Sequence, residues 1–309
     1  MTLPPRWQWQ LDRWRERLRG LFHADPADRR PRLCPSCGVL VGATATKCHE
    51  CGASLTFSIA AASRTLSSLL PTSSPATYII MGINCFLFGV TLMASMSADR
   101  GGAPAFGSVS GEVLLRLGAR ETHLLVANGE LWRLVMPIFL HGGFIHFLFN
   151  SFVLMDIGPQ VEEVYGSARY LFLYVFTGIA SFIVSTGWNI YFSYGFGISI
   201  GASGALMGLV GLMIAITSRR GGAYMKMIRA SLIRWVLIIF AMGFFVRADN
   251  AAHAGGLAAG FLLGSIMEDR EPLNAGERNR AYALGWLAAI VVAGSFAAML
   301  MSYFRGAQP

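Results

Sequence analysis

The stretch SIGASGALMG, residues 199–208, places Ser203 between glycines at the start of an apolar segment. A serine hydroxyl can attack a carbonyl carbon when a neighbouring imidazole accepts its proton. His253, at the start of a later apolar segment, is a candidate for that base. A serine among glycines is also typical of closely packed membrane helices, and the stretch by itself favours that simpler interpretation. The choice between catalysis and packing therefore depends on the rest of the chain.

Two more polar side chains, His146 and Asn150, lie near the start of another apolar segment. They are four residues apart, so on a helix they share one face, one turn apart. The order of the apolar segments places all four polar side chains at one depth, in the outer half of a membrane. These are His146, Asn150, Ser203 and His253. Polar groups are costly at that depth. Packing explains any one of them more easily than all four together. The sequence has no His-Glu-x-x-His pattern, which disfavours a zinc metalloprotease.

Glycines on two of these segments would let their helices approach closely. Gly204 is followed four residues later by another glycine, and Gly256 is followed by Gly260 in the same way. Small residues at this spacing allow helix backbones to come into contact. Such contact is needed if the Ser203 hydroxyl is to reach a ring nitrogen of His253 at about 3 Å. The glycines are therefore compatible with catalysis as well as with packing.

The composition indicates that most of the chain lies in a membrane. Of the 309 residues, 54% are hydrophobic and only 14% are charged, and the mean hydropathy is +0.51. Soluble domains carry about 25% charged residues. The chain contains seven apolar segments, several of them at the short end of the length that crosses a bilayer. They cover approximately residues 78–96, 144–161, 170–188, 201–217, 231–246, 251–267 and 282–304.

The distribution of lysine and arginine predicts the orientation in the membrane. With a cytoplasmic N-terminus, 19 of the 25 basic residues fall in cytoplasmic segments and six fall outside. Membrane proteins carry their excess of Lys and Arg in cytoplasmic loops. We therefore expect an integral, multi-pass protein of the plasma (inner) membrane, with a cytoplasmic N-terminus and an external C-terminus.

Four cysteines near the N-terminus form two C-x-x-C pairs, Cys34 with Cys37 and Cys48 with Cys51. Four thiolates in this arrangement suit a tetrahedral Zn²⁺ ion, and the segment is similar to a zinc ribbon. Disulfides and a redox-active pair are the alternatives, and a reducing cytoplasm favours zinc. His49, inside the second pair, is a less favoured ligand. Such an ion would support a fold too small for its own core, and it implies no chemistry.

Ahead of the cysteines, residues 1–30 form a basic amphipathic segment with apolar residues on one helical stripe and arginines on the other side. Such a helix can lie in the headgroup layer of a membrane. A solvated tail and a partner-binding helix are the alternatives. The basic charge of this N-terminal region is compatible with lipid, nucleic acid or an unidentified cytoplasmic protein as its partner.

Three motifs, in this order, resemble those of the rhomboid intramembrane serine proteases. They are NGELWRLVMPIFLHGGFIHFLFN at 128–150, GASG at 201–204 and AHAGGLAAG at 252–260. The resemblance covers roughly residues 76–268. It implies an all-α polytopic membrane protein with a six-helix core plus a C-terminal seventh span, a six-plus-one arrangement. The small N-terminal zinc-ribbon-like module lies outside the resemblance.

On this basis the chain divides into five parts. They are a basic amphipathic segment at 1–30, a zinc-ribbon-like module at 31–53, a linker at 54–76, a protease core of six spans at 77–268, and a cytoplasmic loop with the seventh span at 269–309.

The resemblance also implies a role for each site residue. Ser203 would be the nucleophile and His253 the general base and later the acid, without a carboxylate. His146, Asn150 and the Ser203 backbone N–H would hold the oxyanion, with no cofactor needed for catalysis. Water would reach Ser203 through a cavity opening outward between the second, fourth and sixth spans. The residues with a structural role would be Trp132, Arg133, Gly201, Gly204, Gly256 and Gly260.

One position departs from the family pattern. Many members have an aromatic residue four positions after the nucleophile, stacked on the catalytic histidine, whereas this chain has Met207. A thioether can contact an imidazole ring. It orients the ring less firmly than an aromatic side chain, which affects the expected rate more than the expected class of reaction.

Two other functions compete with proteolysis. A non-catalytic rhomboid-like protein would bind client transmembrane helices, and loss of the dyad would mark such a protein, whereas this chain retains Ser203 and His253. A transporter or channel would carry ionisable residues along a path through the mid-membrane, and the seven segments offer almost none. The sequence therefore predicts an intramembrane serine endopeptidase that cleaves peptide bonds in or near the transmembrane segments of membrane proteins, with these substrates and the lipid bilayer as its partners.

Overall fold

The computed structural model describes residues 31–34, 37–52, 54–55, 74–98, 108–193 and 197–306. The predicted amphipathic segment 1–30 and most of the predicted linker 54–76 lie outside the described residues. The chain divides into two compact units, Met1–Ala62 and Ser63–Pro309.

The smaller unit contains two short antiparallel strands, β1 (Arg32–Leu33) and β2 (Leu40–Val41). A tight turn follows each C-x-x-C pair. The N–H of Gly38 donates to the carbonyl of the first cysteine of its pair at 2.9 Å, and Gly52 does the same at 3.0 Å. Both glycines have positive φ angles, 77° and 67°, which residues with a side chain rarely adopt. The turns bring the two cysteines of each pair together.

The larger unit consists mainly of α-helices. They are α1 (Pro75–Ala98), α2 (Gly111–Arg116), α3 (Thr122–Val126), α4 (Phe144–Tyr165), α5 (Ser167–Trp188), α6 (Ser203–Arg220), α7 (Gly222–Phe245), α8 (Asn250–Ile266) and α9 (Ala275–Phe304). Two 3-10 turns, Leu131–Leu134 and Met136–Phe139, precede α4. A π-helical turn, Asn189–Ser193, extends α5.

Five of these helices, α1, α4, α5, α7 and α9, are long and apolar enough to cross a membrane. The all-α polytopic architecture predicted from the sequence is thereby confirmed. The two remaining apolar segments fall on α6 and α8, which have 18 and 17 residues. The count of six spans plus one stays a prediction.

Two helices begin earlier than the hydropathy pattern predicts. α7 begins at Gly222 rather than near residue 231, and α9 begins at Ala275 rather than near residue 282. An α-helix satisfies its backbone hydrogen bonds internally, so it can continue past the end of an apolar segment. The start of α9 is set by Asn274, whose side chain accepts the N–H of Glu277 at 2.9 Å.

α6 and α8 contact each other through their backbones. A Cβ atom on Gly256 would lie 1.9 Å from the carbonyl oxygen of Gly204, and one on Gly260 would lie 1.8 Å from that of Gly208. A contact at that distance is impossible, so only glycine fits at positions 256 and 260. This close approach determines the distance between the side chains at the first turns of the two helices.

The segment between α1 and α4 is anchored inside the protein by Arg133, which is 3% exposed. Its guanidinium donates to the backbone carbonyls of Leu115 at 2.7 Å and Ala119 at 3.0 Å, and it pairs with Glu130. The Trp132 ring lies over the guanidinium, with its centroid 4.5 Å away. These contacts hold the chain that leads into α4.

Candidate active site

Ser203 and His253 lie side by side at the same end of α6 and α8. Ser203 is the first residue of α6, and His253 lies in the first turn of α8. The His253 Nε2 is 2.9 Å from the Ser203 Oγ, within hydrogen-bonding distance. The imidazole is 5% exposed, whereas Ser203 is partly exposed. A hydroxyl bonded to an imidazole can transfer its proton to the ring as the oxygen attacks a carbon atom.

The backbone just before Ser203 is fixed by Gly201. Its N–H donates to the carbonyl of Pro137 at 2.8 Å, and its φ angle of 121° is one that favours glycine. A Cβ atom at this position would lie 2.6 Å from the Nε2 of His146. Gly201 therefore leaves the space in which the His146 ring stands against the backbone leading to Ser203.

His146 and Asn150 project from α4 towards the same place. The His146 Nδ1 accepts the N–H of Gly142 at 3.4 Å, and a neutral ring that makes this hydrogen bond carries its proton on Nε2. Asn150 is 6% exposed, and its side-chain amide donates to the His146 carbonyl at 3.1 Å. The N–H of Ser203, at the start of α6, has no partner within its own helix. Donors grouped in this way can stabilise an oxyanion.

The His253 ring makes one contact that the sequence did not predict. Phe240 of α7 lies edge-to-face with it, with the ring centroids 6.1 Å apart and the planes at 84°. Met207, which stands where many members of the family have an aromatic residue, is buried. Nothing in the sequence distinguished Phe240 from the other phenylalanines of the apolar segments. Within the described residues, the buried Nδ1 atom of His253 has no hydrogen-bond partner.

An ion pair between the buried Arg120 and the partly buried Asp249 lies at the N-terminus of α8. The Asp249 Oδ1 accepts the N–H of Ala252 at 2.9 Å and so caps the helix. The Oδ2 atom accepts hydrogen bonds from Arg120 at 3.2 Å, from the Ser199 hydroxyl at 2.6 Å, and from Ser185. Arg120 is 1% exposed. One carboxylate therefore joins three segments of the chain to the start of α8.

The surroundings of Asp249 keep its carboxyl charged. Burial by itself would raise its pKa, but hydrogen bonds from the two serines and from the Ala252 N–H, with the charge of Arg120, lower it more. The pKa therefore lies below the ordinary aspartate value. Sequence reasoning identified neither the ion pair nor Arg120, because 129 residues separate its partners.

An open apolar surface cavity of about 320 Å³ lies among α6, α7 and α8. Its walls are formed by Ile214, Phe240, Ala254, Leu257, Ala258 and Phe261. Phe240 thus contacts both the cavity and the His253 ring. The cavity differs from the water-filled one expected between α4, α6 and α8, which stays a prediction.

The four cysteines of the smaller unit converge on one point. All four Sγ atoms lie within 4.8 Å of one another. The Sγ atoms of Cys34 and Cys51 are 3.7 Å apart, and those of Cys37 and Cys48 are 3.6 Å apart, too far for disulfide bonds. Zn–S bonds of about 2.3 Å in a tetrahedron separate the sulfur atoms by about 3.8 Å. The residues therefore fit a structural zinc ion, and exposed His49 is not needed as a ligand.

Comparison with known proteins points to one family. Residues 128–270 match the Rhomboid domain. RHOMBOID-like protein 5 of Arabidopsis thaliana is 41% identical over 156 residues, which is 50% of this chain and 49% of that protein. The Rhomboid protease GluP of Bacillus subtilis is 36% identical over 162 residues, 52% of this chain and 31% of GluP. A mitochondrial RHOMBOID-like protein 6 of Arabidopsis thaliana is 32% identical over 214 residues, 64% of this chain and 68% of that protein.

The extent of these matches differs from region to region. The chain spans half or less of the length of the first two relatives. The domain match includes His146, Asn150, Ser203 and His253, and it begins after Arg120. The cysteine cluster also lies outside it.

Proposed function

The chain belongs to the rhomboid family, and from that premise we propose that it is an intramembrane serine endopeptidase with Ser203 and His253 as its catalytic dyad. Its substrates are transmembrane proteins, cut within or beside a membrane-spanning helix. The observation that carries the proposal is the 2.9 Å distance from His253 Nε2 to Ser203 Oγ. The relative GluP is named a protease, which supports proteolysis as the class of reaction.

In the proposed reaction, the Ser203 oxygen attacks the carbonyl carbon of the scissile peptide bond while His253 Nε2 takes the hydroxyl proton. His253 then gives this proton to the departing amine as the C–N bond breaks, which leaves an ester on Ser203. A water molecule, deprotonated by His253, attacks the ester and releases the second product. The serine regains its proton and the site is ready for another cycle.

The proposed oxyanion site consists of His146 Nε2–H, the Asn150 amide and the Ser203 backbone N–H. Each would donate to the carbonyl oxygen as it becomes negatively charged. Such donors act strongly in a site with little water, and removing one costs about 2.7–4 kcal/mol of transition-state stabilisation. Burial of Asn150 and the proximity of the His146 ring to Gly201 support this assignment.

The substrate must present an extended backbone to the dyad. In a helix each carbonyl oxygen accepts a hydrogen bond from the residue four positions later, and the surrounding side chains hinder attack. The substrate helix therefore has to unwind locally before cleavage. We expect residues that weaken helices, glycine or proline, to favour cleavage at a given bond.

A cleavage assay tests the proposal directly. The full-length protein is reconstituted in proteoliposomes with a reporter containing one transmembrane helix, and fragments are identified by mass spectrometry. Wild type should cleave the reporter, and Ser203→Ala or His253→Ala should each abolish cleavage. Ser218→Ala, an exposed serine on the same helix, and His123→Ala, an exposed histidine on α3, are matched controls that should remain active. Normal cleavage by Ser203→Ala would refute the mechanism.

Chemical labelling distinguishes the protease from a non-catalytic binder of client helices. A fluorophosphonate reacts with an activated serine, so it should label wild type at Ser203 and should not label His253→Ala. A folded wild-type protein that stays unlabelled would favour the binder.

The distribution of the basic residues supports a cytoplasmic N-terminus and an external C-terminus. The plasma membrane as the location and the domain boundaries given above are part of the same proposal. The four converging thiols support one structural zinc ion in the Met1–Ala62 unit. This ion would stabilise a unit whose described residues include few buried apolar side chains, and it would take no part in peptide hydrolysis.

A further inference from the structure

The Arg120–Asp249 pair connects the two segments that carry the proposed dyad. The backbones of Arg120 and Ser199 exchange two hydrogen bonds, at 2.9 and 3.0 Å, and the Ser199 hydroxyl donates to Asp249 at 2.6 Å. The Asp249 carbonyl accepts the N–H of His253 at 3.1 Å. Ser199 lies four residues before Ser203, and Asp249 lies four residues before His253. The carboxylate is therefore linked to both halves of the dyad through short lengths of chain.

The two short lengths of chain, from Ser199 to Ser203 and from Asp249 to His253, are both restrained by hydrogen bonds. Between Ser199 and Ser203, the N–H of Gly201 is bonded to the Pro137 carbonyl at 2.8 Å. Between Asp249 and His253 there is one turn of helix. The glycine contacts between α6 and α8 determine how close the two helices lie. The hydrogen bonds of Asp249 also fix the position of the loop before Ser203 relative to the first turn of α8.

Stability by itself does not explain this ion pair. The side chains of Arg120 and Asp249 are 2% and 23% exposed. A buried ion pair contributes little net stability because desolvation of the charges opposes their attraction. It does require an accurate geometry, and Arg120 also donates to Ser185 at 2.6 Å and to Thr122 at 2.9 Å. The cluster is therefore suited to fixing the relative positions of the segments it joins.

We propose that Asp249, held in place by Arg120, is a positioning residue for the Ser203–His253 dyad. It ties the loop before Ser203 to the first turn of α8 and thereby maintains the distance between Oγ and Nε2. This inference rests on the proposed function, because the contact between Ser203 Oγ and His253 Nε2 matters for catalysis only if the protein is a serine protease. Weakening the tie should lower kcat and leave KM unchanged, because it disturbs the reacting atoms and not the bound substrate helix.

Two variants test the tie in different ways. Ser199→Ala removes one hydroxyl link and leaves the ion pair intact. The double variant Arg120→Gln/Asp249→Asn removes both charges together, so that neither is left buried without its partner. Asp269→Asn is the matched control, because Asp269 pairs with two arginines beyond the other end of α8.

The variants are compared as full-length protein in proteoliposomes, by the cleavage kinetics of the same reporter and by thermal unfolding. We expect kcat to fall about tenfold for Ser199→Ala and about 10² for the double variant, with KM within about twofold of wild type and the control unchanged. If the double variant does not fold, Ser199→Ala decides the question.

Two results would overturn the positioning role. One is a wild-type kcat in Ser199→Ala and in the folded double variant, and the other is a raised KM with unchanged kcat. With Ser203→Ala inactive in the same assay, either result would leave the proposed function intact. Cleavage by Ser203→Ala would instead remove the proposed function itself.

Discussion

Gly256→Ala should separate the proposed dyad without touching either of its side chains. The added Cβ would lie 1.9 Å from the carbonyl oxygen of Gly204, and that oxygen belongs to the backbone of α6. A backbone atom cannot move away by rotating a side chain. The two helices must therefore shift apart, and α6 begins at Ser203, only one residue before Gly204.

The size of the shift follows from the contact distance. An ordinary contact begins at 3.4 Å, so the backbones must separate by about 1.5 Å. Along the line between the two side chains, that displacement takes the 2.9 Å distance from Ser203 Oγ to His253 Nε2 well beyond the hydrogen-bond range of about 3.2 Å. A misplacement of about 1 Å can cost about 10² in rate, so we expect kcat to fall by at least that factor. Overpacking should also destabilise the fold by about 1–3 kcal/mol.

The measurement is reporter cleavage in proteoliposomes together with thermal unfolding. Gly294→Ala is the matched control, because a Cβ at Gly294 of α9 meets nothing within 4 Å. That control should keep its activity and gain up to about 1 kcal/mol of stability, since alanine favours helices more than glycine does. Gly256→Ala with the kcat of wild type would refute the argument that backbone contact controls the dyad distance.

Three further predictions concern the oxyanion donors, acidification and the metal site. Asn150→Ala should lower kcat by about 10²-fold, because it removes one oxyanion donor, and a normal cleavage rate would contradict that role. The unfolding temperature should fall as the pH drops below 3.8, the ordinary aspartate pKa, because the folded Asp249 carboxyl titrates lower and its stabilising charge is lost on protonation. In calorimetric scans of Arg120→Gln/Asp249→Asn, the part of this acid-induced fall that comes from Asp249 should be missing. If the unfolding temperature of that variant depends on acid pH in the same way as that of wild type, Asp249 is excluded as the source of the fall. Metal analysis of the full-length protein should find one zinc ion per chain. Cys48→Ser should lose this ion, whereas the control Cys85→Ser, on α1, should retain it. Equal zinc content in the two variants would argue against the cysteine site.

Hydropathy and local spacing predicted the features that depend on neighbours along the chain. The low charge content and the apolar segments predicted a polytopic membrane protein, and the family resemblance implied the all-α architecture, which the helices confirm. The family resemblance is likewise confirmed by the Rhomboid domain match. Helix boundaries were predicted less well, because hydropathy reports which residues are apolar, whereas the start of a helix is set by a capping residue such as Asn274.

The sequence by itself determined which side chains were available for chemistry: Ser203 and His253 stand at the starts of apolar segments, and the spacing of His146 and Asn150 places them on one helical face. Only the tertiary structure decided which of them meet. Residue spacing and hydropathy did not predict the contact between Phe240 and His253. They also did not predict the hydrogen bonds of Asp249 to residues far away in the chain. The reason is physical, since periodicity reports whether a side chain is buried, whereas its partner is chosen by how closely whole helices can pack.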